Sequence, residues 1–225
     1  MKTTKHTILV VVSIAFVTLG FAQHRSYTVK NGFALGAGLT QYNINTNNFN
    51  TSSGSGWLIT ASSTADIPHK WFNVSFGMQL SENNMEISGL MLDEDVLVAQ
   101  QLDYNIFAAQ LSMLFHIKAV KNLLTLDVGP VLQYNGKLEL QSENRDALFI
   151  AVGDNTFLAQ QLEDVSQFNV NGAIGTTLGF KAIKLRAQYI YGFTNIFSKL
   201  NSENITSVTL RGNQSMLTFS ALLTF

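Results

Sequence analysis

Taken at every second position, most of this chain separates into one apolar and one polar face. Residues 71–80 set Phe72, Val74, Phe76, Met78 and Leu80 against Asn73, Ser75, Gly77 and Gln79. Residues 124–134 set Leu124, Leu126, Val128 and Leu132 against Thr125, Asp127, Gly129 and Gln133. A period of two belongs to the β-strand, whose successive side chains point to opposite faces. The same pattern runs through 33–42, 57–67, 103–117, 168–180, 185–193 and 215–225, which makes eight strands of about ten residues. A soluble sandwich would carry many charges on its outer face. Here the polar faces hold mostly Ser, Thr, Asn, Gln and Gly. Small neutral side chains suit the inside of a narrow barrel, and the apolar faces then meet lipid. Ten tilted residues also match the thickness of a bilayer core.

The links between these segments alternate in length. They are short at 68–70, 118–123 and 181–184, and long at 43–56, 81–102, 135–165 and 195–212. One rim therefore carries tight turns and the other long loops. The expected fold is all-β: an eight-stranded antiparallel up-and-down transmembrane barrel with short periplasmic turns and long extracellular loops. Charge divides the same way. Lys70, Lys118, Lys121, Lys181 and Lys184 occupy the turns, while most acids fall in 81–102 and 135–165. Trp57, Trp71, Tyr104, Tyr134, Tyr189, Tyr191 and Phe193 lie near strand ends, where aromatic rings favour the membrane interface.

Residues 1–22 read as a cleaved secretory signal peptide, leaving 23–225 as the barrel domain. Lys2 and Lys5 form a positive start, 8–19 is an apolar run, and Gly20 and Ala22 are the small residues before the cleaved bond. The run is shorter than a spanning helix needs. The expected location is the outer membrane. Losing two lysines and no acid takes the chain from a formal charge of −1 to −3. Nucleic acid is excluded as a partner, since phosphate binding needs a basic face. With no cysteine, disulfides, thiolate zinc sites and thiol nucleophiles are excluded too.

The signal, the eight strands, the three tight turns, the four long loops and the ending Ser220-Ala221-Leu222-Leu223-Thr224-Phe225 together resemble the PorT-like outer-membrane β-barrel proteins of Gram-negative bacteria. The aromatic Phe225 is similar to the C-terminal signal by which the barrel-assembly machinery recognises its clients. The resemblance implies a scaffold or accessory component of the envelope, related to protein secretion and partnered by secretion or envelope proteins. It carries no catalytic residue.

Few inward-facing positions are charged. Asp66, Asp127 and Arg186, with His116, all lie near the turn ends of their strands. Arg186 is expected to pair with Asp127, and Asp66 to join them, in an interior cluster that plugs the lumen. A charge inside a barrel has to be paired, and eight strands enclose room only for side chains. A diffusion pore is therefore not expected. Nor is an enzyme: a hydrolase or acyltransferase needs a base beside its nucleophile, and His24, His69 and His116 all lie away from the long loops.

Asp93-Glu94-Asp95 is the densest acidic cluster and a candidate for loop interaction. Its spacing matches no calcium loop, so no metal or cofactor is expected. The bland reading is a solvated loop facing lipopolysaccharide. Ala99-Gln100-Gln101-Leu102-Asp103 recurs as Ala159-Gln160-Gln161-Leu162-Glu163, each copy leading into a strand. Residues 96–102 and 148–162 are rich in β-formers around the turn candidate Gly153-Asp154-Asn155. The loops there are expected to extend the strands as hairpins, offering an edge to a partner. The alternative to the scaffold is a stand-alone surface barrel that binds a ligand through these acidic loops. A lipid-modifying enzyme is a distant third.

Overall fold

The computed structural model describes residues 30–67, 69–94, 96–120, 123–153, 155–180, 182–203 and 205–225. The signal peptide, Asp95, Lys121, Asp154 and Lys181 lie outside the described residues. Among the described residues ten strands follow one another: β1 (Lys30–Thr46), β2 (Thr51–Asp66), β3 (Phe72–Asp93), β4 (Val96–Val120), β5 (Leu124–Leu140), β6 (Leu148–Val152), β7 (Asn155–Leu158), β8 (Phe168–Phe180), β9 (Ile183–Gly192) and β10 (Gly212–Thr224). A single turn and a half of helix, α1 (Ser198–Glu203), precedes β10.

All ten strands form one antiparallel sheet, and eight of them close a ring in the order β1-β2-β3-β4-β5-β8-β9-β10. Closure runs from Ala34 opposite Thr224 to Thr46 opposite Gly212. The two strands close tightly there: a methyl group on Gly38 would collide with the Phe219 carbonyl and Ser220. The ring is uneven, with strands from 10 to 25 residues long. The remaining two strands form a hairpin, β6–β7, attached to β3 by Leu90–Phe149 and Met91–Leu148. Gly153, at φ +60°, supplies the left-handed residue of its turn.

Each long strand changes sides chemically at one level. In the half nearer the short turns, β4 points Phe107, Leu111 and Phe115 outward, and Gln110 and His116 inward. Beyond that level Asp103 points outward, while Leu102, Tyr104 and Ile106 are buried inside. β3 does the same: Phe76 and Met78 are exposed, Ser75 and Ser81 are buried, then Met85 and Ile87 turn inward. β1 passes from exposed Leu35 and Leu39 to buried Tyr42 and Ile44. The turn half is thus apolar outside and polar inside. The loop half is polar outside and encloses an apolar core, covered by Leu148, Ile150 and Phe157 of the hairpin and by Phe197 and Leu200 around α1.

This inversion corrects the expected loop at 43–56, whereas the hairpin expected to extend the strands through 81–102 is formed by β3 and β4. Residues 43–56 and 81–102 are mostly strand, leaving connections of only four residues after β1 and two after β3. The alternation never stops there, but its apolar set moves to the other face, so a search for one continuous apolar face ends the strand too early. The repeated pentapeptide splits. Its first copy lies within β4, and its second, Ala159–Glu163, is a 3-10 turn. In the second copy Ala159 and Leu162 are both buried, three positions apart on one face of the turn. Tyr104 is corrected too. It is not at the interface but fully buried, its hydroxyl donating to the Ala159 carbonyl at 2.9 Å. Burial pushes this phenol's pKa far above its ordinary value.

Candidate functional site

The lumen holds two polar layers beneath the apolar cap. The middle layer is made of amides. Gln79 donates to Gln110 at 2.9 Å, Gln110 to Gln133 at 2.5 Å, and Gln133 to Gln214 at 2.9 Å. Asn171 donates to Gln133 at 2.6 Å and accepts from Gln214 at 3.1 Å. An amide has both donor and acceptor, so it can link neighbours on both sides without any buried charge. These amides came from five strands and fill the lumen at one level. They drew no attention in the sequence, although each sits on the polar face of its strand.

Below them, at the turn end, is the ionic layer. Asp127 on β5 is the hub, and its side chain is fully shielded. His116 Nδ1 lies 2.6 Å from its Oδ1, Thr125 donates to the same oxygen at 2.7 Å, and Thr177 donates to Oδ2. The register places His116 directly opposite Asp127, and Thr177 opposite Arg186. Arg186 donates from Nε to Thr177 at 3.1 Å and sits 3.8 Å from Asp127 Oδ2. The structure brings Arg186, Asp127 and His116 together. Asp66 does not join them. It pairs with Lys118 at 3.1 Å, and its side chain is half exposed at the mouth. Lys118 projects from β4 across the same rim, and an exposed carboxylate loses less hydration there than it would beside Asp127.

Sequence reasoning missed one contact. The Ser75 hydroxyl lies 2.7 Å from His116 Nε2. Serine, histidine and aspartate therefore stand in the order of nucleophile, base and orienting carboxylate. Ser75 is only 1% exposed, however, and it does not line the nearby cavity.

That cavity, about 260 Å³, opens at the turn end beside His116, Lys118, Lys184 and Arg186. At the opposite end, β3 and β4 project as a hairpin closed by Asp93 opposite Val96. Its tip exposes Leu92, Val96, Leu97 and Val98 beside Asp93 and Glu94. Asp93 and Glu94 belong to this solvated tip. The Asp164 carboxylate, just after the 3-10 turn Ala159–Glu163, pairs with Lys199 of α1 and holds that ammonium's pKa above the usual lysine value. Phe225 lies at the turn end, exposed, its amide donating to the Phe33 carbonyl at 2.8 Å. No group of three or more His, Asp or Glu placed to hold a metal occurs among the described residues.

No protein-family profile matches the chain, and no curated protein matches it. Among solved structures it is similar to Neisserial surface protein A (NspA), with 12% identity over 86% of this chain and 97% of that one, at a TM-score of 0.45. It is also similar to the translocator domain of the autotransporter NalP from Neisseria meningitidis, with 10% identity over 99% and 97% of the two chains and a TM-score of 0.26. The toluene transporter TodX of Pseudomonas putida aligns at 9% identity over 92% and 91%, with a TM-score of 0.23.

Proposed function

We propose that this chain is an integral outer-membrane protein whose eight ring strands span the bilayer as an up-and-down barrel. In this reading it serves as a non-enzymatic scaffold or accessory component of the envelope and presents its loop-end hairpins to a partner protein outside. The observation that carries the reading is the change of sides shared by the strands. An exterior of Phe, Leu, Val and Ile below one level, and of Asp, Asn and Gln above it, is what a hydrocarbon slab imposes. On β4 the apolar exterior runs from Phe107 to Ile117. At about 3.4 Å per residue and a tilt near 40°, that is a band of about 25 Å, the height of the apolar belt of such barrels. The short turns then face the periplasm and the hairpins the outside. The outward Glu82, Glu86 and Asp103 stand where lipopolysaccharide head groups begin. Membership of the PorT-like proteins, and with it a link to secretion, is the finer reading that the strand and loop pattern supports.

A scaffold works through presented surface. β3 and β4 carry apolar side chains beyond the belt to an exposed tip, where solvent alone would favour polar residues. Replacing residues 89–99 by a two-residue turn should leave the barrel folded, seen as an unheated gel band that migrates differently from the boiled one. The same change should remove the proteins that copurify after crosslinking in native membranes. Retention of those proteins would count against the scaffold. A barrel with no copurifying protein would favour the second reading, a stand-alone surface protein binding through the acidic tip of Asp93 and Glu94.

The non-enzymatic reading is supported by the seclusion of Ser75. A fluorophosphonate probe should not label the folded protein in detergent. Stoichiometric labelling that disappears in Ser75→Ala would reverse this part of the proposal.

A further inference from the structure

We propose that the cavity at the turn end is a binding site for a phosphate-type oxyanion, held by Arg186 and Lys184 with Lys118 at its rim. Among the described residues, the cavity of about 260 Å³ is lined by these three cations and by Asp66 as the single carboxylate. Asp66 is already matched by Lys118. Asp127 lies behind the wall, its oxygens occupied by His116, Thr125 and Thr177. Lys184 takes no carboxylate among the described residues.

Arg186 gives the more specific sign. Its side chain is only 11% exposed. A guanidinium has five N–H donors, and only the Nε–H is engaged, to Thr177. No acceptor is seen at its two Nη nitrogens among the described residues, and neither nitrogen is sealed from the cavity. A shielded guanidinium with its fork unused costs folding energy unless something accepts from it. The planar fork fits the oxygens of phosphate or carboxylate in pairs. Lys184 lies two residues away on the same face of β9, and its cross-strand neighbours, Gly179 on β8 and Leu222 on β10, offer it no countercharge. Arg186 faces the Asp127 carboxylate at 3.8 Å, and Lys184 beside it adds a positive charge with no paired carboxylate among the described residues, which favours an anion in the cavity. The volume is that of about nine waters, enough for a phosphate group and a few atoms of its ester.

Such a group has two sources on this side of the membrane, a soluble phosphate or the head group of an inner-leaflet phospholipid. Side-chain and amide nuclear magnetic resonance spectra of the intact barrel in phosphate-free maltoside micelles separate them. Inorganic phosphate should shift the Arg186 Nε signal and the amides of Thr177, Gly179 and Lys184 saturably. Lys184→Gln should weaken this by about tenfold while leaving the heat-sensitive gel band unchanged, since Lys184 holds no structural partner. Arg186→Gln should abolish it, and Arg186→Lys should restore charge but not the fork, leaving binding well below wild type. A lipid source predicts the same shifts in nanodiscs of phosphatidylglycerol and not in nanodiscs of a phosphate-free glycolipid. The proposal is overturned if neither inorganic phosphate nor phosphatidylglycerol shifts these signals, or if Lys184→Gln and Arg186→Gln bind as wild type does.

Discussion

Asp127→Ala should lower the stability of the folded barrel by about 3–5 kcal/mol, the usual cost of removing one partner from a buried ion pair. Its carboxylate accepts from His116, Thr125 and Thr177 and faces Arg186, and no water reaches it. Without it, three strands lose their common acceptor, and Arg186 keeps a charge in a nearly closed space. Asp66→Ala is the matched control. It also removes an acid paired with a cation, but a half-exposed one, so it should cost at most about 1 kcal/mol. Urea unfolding in micelles, followed by the fluorescence of Trp57 and Trp71, measures both. Equal costs for the two would mean that the network around Asp127 does not hold the lumen together.

Leu111→Arg should cost about 2–4 kcal/mol in a bilayer, the penalty for a charge on the lipid face near the membrane centre. Leu111 is 59% exposed, midway along the apolar exterior of β4. In water an exposed leucine replaced by arginine would change stability by no more than about 0.5 kcal/mol. Asp103→Arg, outward on the same strand but beyond the belt, should stay within that smaller range. Unfolding from phospholipid vesicles, read by loss of the fast-migrating gel band, compares the two. Similar small effects at both positions would show that this face does not meet hydrocarbon, and the membrane reading would fall with it.

Much of this molecule is legible along the chain because the constraint is one-dimensional. Alternation at Phe76, Met78 and Leu80 reports a strand with an apolar side wherever its neighbours lie. Inward charges are so rare that Asp127, His116 and Arg186 stand out before any pairing is known. The pairing itself was only partly legible. Asp66 and Asp127 look alike in the sequence, each an acid on a polar strand face. What separates them is depth: Asp127 is shielded by three donors, and Asp66 meets solvent and Lys118 at the mouth. The Ser75–His116 contact joins residues 41 positions apart, and no local pattern marks it.

By itself the sequence determined the strands of the turn half, their apolar exterior and the polar character of the lumen, because side-chain period depends only on backbone geometry. It also singled out Asp127, Arg186 and His116 of the ionic layer, but not the Ser75, Thr125 and Thr177 hydroxyls bonded within it. Only the tertiary structure decided where the strands end, because the apolar face changes sides where the surroundings change. It decided that one copy of a pentapeptide is strand and the other a 3-10 turn, since burial against the cap outweighs local preference. And it decided which donors at Arg186 are satisfied, because that depends on shear and register around the whole ring, a property no single strand contains.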